Sequence, residues 1–385
     1  MKVSSEKISR IKKVMDKYSL DVLIVRLPEN VLYFSGYWPV NGLSVVVFPR
    51  EGEPTLILPV SETEYSEESW FKNIITYPLE SLKEVWNPYQ HIKEALEKLE
   101  LEGRVGVELG FETASITNVV IELNYPSSPF YNLLREVVKG EIVDATQAIY
   151  EMRMVKAPEE VELIRIANEV LAFGLEEARE FLNEGVKEVE LASVFEKAVH
   201  VKGTDYKGVK RVRGFAFVMS GANASKAYYP YNVSTSHRIK RGETILLELN
   251  VYVDGYWADV TRTWFLGSPP QLIRDLHETL IEAQEAVYKG FRSGMTAGEV
   301  DSIARKVVEE KGFSKYWPHR LGHGIGVRLH EPPALHPASK EVMVKGIVHT
   351  VEPGFYGRDF GIRLEDVVHD LDKGVEVLTR YPKDL

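Results

Sequence analysis

The chain has 385 residues, enough for two domains of roughly 100–200 residues each, and 44% of them are apolar. Its formal net charge of −10 argues against a nucleic-acid binder, which would need a basic stripe. It has no cysteine, hence no disulfide and no thiolate metal site, which suits a cytoplasmic location; neither a signal peptide nor an apolar run near the roughly 20 residues of a membrane span is visible, so no membrane association is expected.

Ser4 to Tyr18 reads as an amphipathic helix, with Ile8, Ile11, Val14 and Met15 on one face. Val22 to Val25, Gly42 to Phe48, Thr55 to Val60 and Arg104 to Glu108 read as strands, and Pro88 to Leu99 as a helix. Strands alternating with helices predict an α/β domain, assigned to residues 1–150. Nothing in it looks catalytic. Asn30 to Gly36 could face a ligand but is read as a strand-to-loop segment. Lys156-Ala-Pro158-Glu-Glu then places a proline and two acids at a helix start, and a second domain is assigned to residues 151–385.

This second domain repeats itself. Gly185 to Gly203 aligns without gaps to Gly294 to Gly312, matching at Glu190/Glu299, Ser193/Ser302 and Lys197/Lys306. Each segment follows a long helical stretch. Chance similarity between amphipathic helices is the plainer alternative; the other is a duplicated α+β domain whose site is fed by both copies.

Thr244 to Val253 alternates with period two and places Leu246, Glu248, Asn250 and Tyr252 on one face. Asp254-Gly255 is a two-residue turn signal. If it closes a hairpin, Glu248 lies opposite Thr261 and Asn250 opposite Asp259. Glu248 and Asp259 are then diagonal neighbours that can chelate metal, although a solvated polar face would show the same pattern.

Pro318 to Pro333 carries His319, His323 and His330 among glycines, and Glu352 and Glu365 follow. Histidine nitrogen beside several carboxylates is what a divalent hydrolytic metal needs. His336, His349 and His369 sit in no such pattern and are read as structural.

Together, Lys156-Ala-Pro-Glu-Glu, Asp254 to Thr263, Gly322-His323-Gly-Ile-Gly, His330-Glu331, Val351-Glu352-Pro-Gly354 and Ile362-Arg-Leu-Glu365-Asp366 resemble the prolidase and aminopeptidase P branch of the pita-bread metallopeptidases. The first half resembles the creatinase/prolidase N-terminal domain. The resemblance implies metal-dependent cleavage of short peptides with proline second, two divalent ions (Mn, Co or Zn) and a homodimer. It assigns Glu248, Asp259, His323, Glu352 and Glu365 as ligands, with Asp259 and Glu365 bridging. It gives Glu352 proton transfer, His330 stabilisation of the tetrahedral oxyanion and His319 substrate orientation. Tyr228 and Arg363 fall on the substrate side, Tyr228 beside Tyr229 near the entrance, and Glu331 in a supporting position. Two positions depart from the family pattern: Glu248 stands where it has aspartate, and Tyr228 where its peptidases usually have histidine. A creatinase-like hydrolase of a non-peptide C–N bond and a binding protein without turnover are the alternatives.

Overall fold

Ser4 accepts a hydrogen bond from the Lys7 amide at 3.3 Å and so caps the first helix, α1 (Ser5–Lys17), which buries Ile11, Val14 and Met15. The computed structural model describes residues 3–40, 43–78, 88–110, 128–228 and 233–385; Gly42 and Tyr229 lie outside them. The described residues divide into two compact units, one ending at Arg153 and the other running from Met154 to Leu385.

The first unit contains β1 (Val22–Val25), α2 (Pro28–Ser35), β2 (Val45–Pro49), β3 (Thr55–Pro59), β4 (Asn73–Tyr77), α3 (Pro88–Glu97), β5 (Glu102–Val107), α4 (Ser128–Val137) and β6 (Lys139–Asp144). Helix α5 (Thr146–Met154) runs to the boundary. The sheet order is β4-β3-β2-β1-β5-β6, antiparallel at β1–β2 and β2–β3 and parallel elsewhere. Helices α3 and α4 cover one face through Ile92, Leu96 and Leu134, packed on Ile24, Ile57 and Val105.

The segment from Asn30 to Ser35, expected as strand-to-loop, is helical. Pro28 presets the first turn, and Gly36 ends the helix at φ 75°, a conformation glycine adopts without strain. Every residue from Asn30 to Ser35 is buried, so no polar stripe marks the helical period.

The second unit opens with α6 (Pro158–Phe181) and α7 (Glu188–Gly203), followed by β7 (Val212–Ser220), β8 (Thr244–Val253) and β9 (Tyr256–Phe265). Helices α8 (Gln271–Gly290) and α9 (Ala297–Glu310) then repeat the helical pair. The duplication extends to single atoms. Glu190 accepts from the Lys187 amide at 2.9 Å, and its counterpart Glu299 accepts from the Thr296 amide at 2.7 Å. The aligned glycines ahead of these caps both have positive φ, 87° at Gly185 and 100° at Gly294. The matching caps and glycine conformations at aligned positions favour duplication over chance similarity.

The remaining strands are β10 (Gly322–Gly324), β11 (Glu331–Leu335), β12 (Val348–Val351), β13 (Gly354–Tyr356), β14 (Gly361–Arg363), β15 (Asp366–Asp370) and β16 (Val375–Val377). They form a sheet ordered β11-β10-β12-β15-β16 and the pair β13-β14; the first copy contributes β7-β8-β9. Backbone and side chain join the copies. The Glu365 amide donates to Thr261 O at 3.1 Å, and the Arg363 amide to Thr263 Oγ1 at 3.0 Å.

Candidate metal centre

The β8–β9 register pairs Glu248 with Thr261 and Asn250 with Asp259, and Asp254 (φ 44°) and Gly255 (φ 96°) make the turn. All ten residues of each strand are buried, so Glu248 and Asp259 do not belong to a solvated face. They meet Glu365, and ligand atoms of the three lie within 4.8 Å of one another. Two further groups satisfy the same limit: His323 with Glu352 and Glu365, and Asp259 with His323 and His330. The five residues assigned as ligands, together with His330, are thus brought to one place from β9, β8, β10, the segment ahead of β11 and the segments following β12 and β14.

Polar neighbours orient each member. Asn250 Nδ2 donates to Asp259 Oδ1 at 2.6 Å, and Thr350 Oγ1 donates to Glu352 Oε1 at 3.2 Å. Thr261 Oγ1 reaches Glu365 Oε2 at 2.7 Å and Glu248 Oε2 at 3.2 Å, and accepts from Arg363 Nε at 2.9 Å. The period-two pattern already placed Thr261 and Asn250 beside the acids. Nothing in the sequence indicated the hydroxyl of Thr350.

His323 Nδ1 lies 3.0 Å from Gly324 O, so the proton sits on Nδ1. Its Nε2 is then a lone pair facing Asp259 Oδ2 at 3.6 Å and Glu352 Oε1 at 3.4 Å. Burial, reinforced by His330, pushes the His323 pKa well below its ordinary value, and the ring is neutral. Burial and the charge of Glu365 push Glu352 well up. Burial pushes Glu365 up too, against the opposing pull of Arg363 and Thr261, and its Oε1 has no hydrogen-bond partner among the described residues. A lone pair directed at carboxylates and a buried carboxylate oxygen without a donor are both satisfied by a divalent cation. The donor set fits one.

Arg363 pairs with Glu248 and donates from Nη1 to Tyr356 OH at 3.3 Å. It therefore contacts one of the ligand acids directly. His319 donates from Nδ1 to Arg320 O at 2.7 Å, which leaves its buried Nε2 unprotonated; burial pushes this histidine down to about 4. The His319 ring is 5.5 Å from that of Tyr356, and Tyr228 is 5.1 Å from Tyr356 on another side and half exposed. These three rings pack together, and Tyr356 OH meets Arg363 beside Glu248. Glu331 turns elsewhere, to a buried ion pair with Lys156 at 2.8 Å. His349 pairs with Asp370 at 3.0 Å and is structural.

Comparison with known proteins points the same way. Residues 162–369 match metallopeptidase family M24, and residues 7–155 match the creatinase/prolidase N-terminal domain. The Xaa-Pro dipeptidase of Pyrococcus furiosus is 30% identical over 381 residues, covering 99% of each chain. That of Pyrococcus horikoshii is 30% identical over 386 residues, covering 100% of each. The crystal structure of the prolidase from Pyrococcus horikoshii superposes with a TM-score of 0.79 at 28% identity, covering 98% of this chain and 99% of that one.

Proposed function

The chain belongs to metallopeptidase family M24, with a creatinase/prolidase N-terminal domain ahead of the duplicated pita-bread unit, and from that premise we propose that it is a hydrolase of short peptides whose second residue is proline. The observation that carries the proposal is the cluster of Glu248, Asp259, Glu352 and Glu365 with the neutral His323, all buried except the partly buried Glu352. Four carboxylates with Arg363 in contact leave three negative charges uncompensated by a contacting cation. Two divalent ions, from among Mn, Co and Zn, would supply four positive charges against those three, and one bound hydroxide would close the difference.

Glu248, Asp259 and Glu365 would hold one ion and His323, Glu352 and Glu365 the other, with Asp259 also facing His323 at 3.6 Å. Such ions lower the pKa of water towards neutrality and polarise a carbonyl oxygen. Glu352 accepts the proton of the attacking water and delivers it to the leaving nitrogen. His330, tilted against His323 with ring centroids 4.0 Å apart, donates to the developing oxyanion. His319 and Tyr228 line the substrate side, and Arg363 holds Glu248 in place. Residues 1–150 act as a non-catalytic domain, and the protein works as a cytoplasmic homodimer. Among the described residues no helix is long and apolar enough to cross a membrane.

The test is a screen of Xaa-Pro dipeptides and of tripeptides with proline second, each supplemented with Mn(II), Co(II) or Zn(II). Turnover is expected on at least one class, and its absence with every metal contradicts the proposal. Light scattering checks the dimer.

A further inference from the structure

Glu331 directly follows His330, yet its carboxylate takes no part in the metal cluster. It pairs with Lys156 Nζ at 2.8 Å, and the two side chains are 1% and 2% exposed. Lys156 Nζ also donates to Met154 O at 3.3 Å. The Lys156 backbone is itself pinned, because its amide donates to Gly346 O at 2.8 Å and Val155 bridges Ile347 just ahead of β12. At the other end, Glu331 opens β11 and pairs in register with Gly324, next to His323. The ion pair therefore ties the start of α6 to the strand on which His330 hangs, across 175 residues of sequence.

The loop between the two histidines is shaped around this pair. A Cβ on Gly326 would overlap Glu331 Oε1 and lie 2.9 Å from Lys156 Cε. Gly326 also donates to Arg328 O at 3.0 Å and accepts from the Trp257 amide at 3.0 Å. The glycine at 326 is thus required by the ion pair beneath it, whereas Gly324 abuts the Pro332 backbone. A fully buried ion pair is poor value for stability, since apolar residues of similar volume serve as well or better. What it supplies that apolar residues do not is a fixed direction.

We infer that Lys156 is a positioning residue for His330, acting through Glu331 and the space left at Gly326. Glu331 directly follows His330, so locking its carboxylate in the pair with Lys156 fixes the backbone that carries the His330 ring, whose centroid lies 4.0 Å from that of His323. This inference rests on the proposed role of His330 at the reacting carbonyl.

Lys156→Met alone leaves a buried carboxylate unpaired and can fail to fold. The deciding variant is therefore Lys156→Met/Glu331→Leu, which removes both charges and keeps the volume. It is expected to melt near the wild-type temperature and to bind Mn(II) as the wild type does. Its kcat falls by about 10- to 100-fold while KM changes little, as when an orienting partner of an active-site group is lost. The imidazole ¹⁵N resonances of His330, assigned through His330→Asn, shift in the double variant. Wild-type kcat in the double variant, or unshifted His330 resonances, overturns the inference. If the wild-type enzyme turns over no peptide, the proposed function fails, and the His330 resonances alone decide the positioning role.

Discussion

Glu365 and Asp366 are neighbours in sequence, both essentially excluded from water at 1% and 0% exposure, and they live in opposite electrostatic worlds. Asp366 meets Arg262 Nη2 at 2.8 Å, Lys383 Nζ at 2.6 Å and Tyr288 OH at 2.7 Å. Burial raises its pKa, but Arg262 and Lys383 outweigh burial and hold it below the usual carboxylate range. Glu365 faces three other acids, keeps one oxygen without a donor and is pushed up. The same alternation splits Thr261, which serves the acids, from Arg262, which serves the brace. Burial of an acid is therefore no sign of function in itself. A local excess of negative charge is, because either a bound cation or proton uptake must relieve it.

Substitutions on the two faces should accordingly fail in different ways. The largest effect belongs to the acid-rich face. Glu352→Gln is expected to lower turnover of an Xaa-Pro dipeptide by about 10²- to 10⁴-fold through loss of proton transfer. The melting temperature of the metal-free protein should stay level or rise, since one repelling charge is gone. A large loss of metal-free stability instead would place Glu352 with the braced acids.

On the compensated face the cost is stability. Asp366→Asn leaves Arg262 and Lys383 buried opposite a neutral amide and should destabilise by about 3–5 kcal/mol, read by calorimetry. A stable but inactive variant would break the comparison.

His277 extends the braced face towards acid pH. It lies beside Asp384, Arg262 and Lys383, and burial pushes its pKa down from 6.5 to about 4. The unfolded chain takes up this proton as the pH falls through 6.5, whereas the folded chain resists until about 4. The contribution to stability is whole above pH 6.5 and is lost on acidification across that window, by at most about 3 kcal/mol. His277→Gln should flatten the melting temperature against pH over that range; an unchanged slope would contradict this reading. Smallest of all is the exposed pair of Lys345 and Asp372, 3.0 Å apart with side chains 61% and 75% exposed. Lys345→Ala should change stability by no more than about 0.5 kcal/mol, a calorimetric baseline for the buried pairs.

Much of the acid-rich face was legible from sequence because its signals are local. Alternation from Thr244 to Val253 and the Asp254-Gly255 turn set the register that brings Glu248 and Asp259 together. The helical pair was legible through its two glycine-bounded copies. Other features leave no local trace. The segment from Asn30 to Ser35 is buried on all sides, so its helical period is silent. The partnership of Lys156 with Glu331, and that of Glu248 with Arg363, joins distant positions and depends on packing that no spacing rule encodes. Arg363 and Glu331 could be placed near the site from their motifs, but the groups they touch could not.

The central claim is that the excess charge around Glu365 is balanced by divalent cations. Elemental analysis of protein loaded with Mn(II), Co(II) or Zn(II) and dialysed under non-chelating conditions tests it most directly. The account predicts about two ions per chain for at least one of these metals, whose four positive charges would offset four carboxylates beside one guanidinium together with one bound hydroxide. Stoichiometry near zero for all three would contradict it.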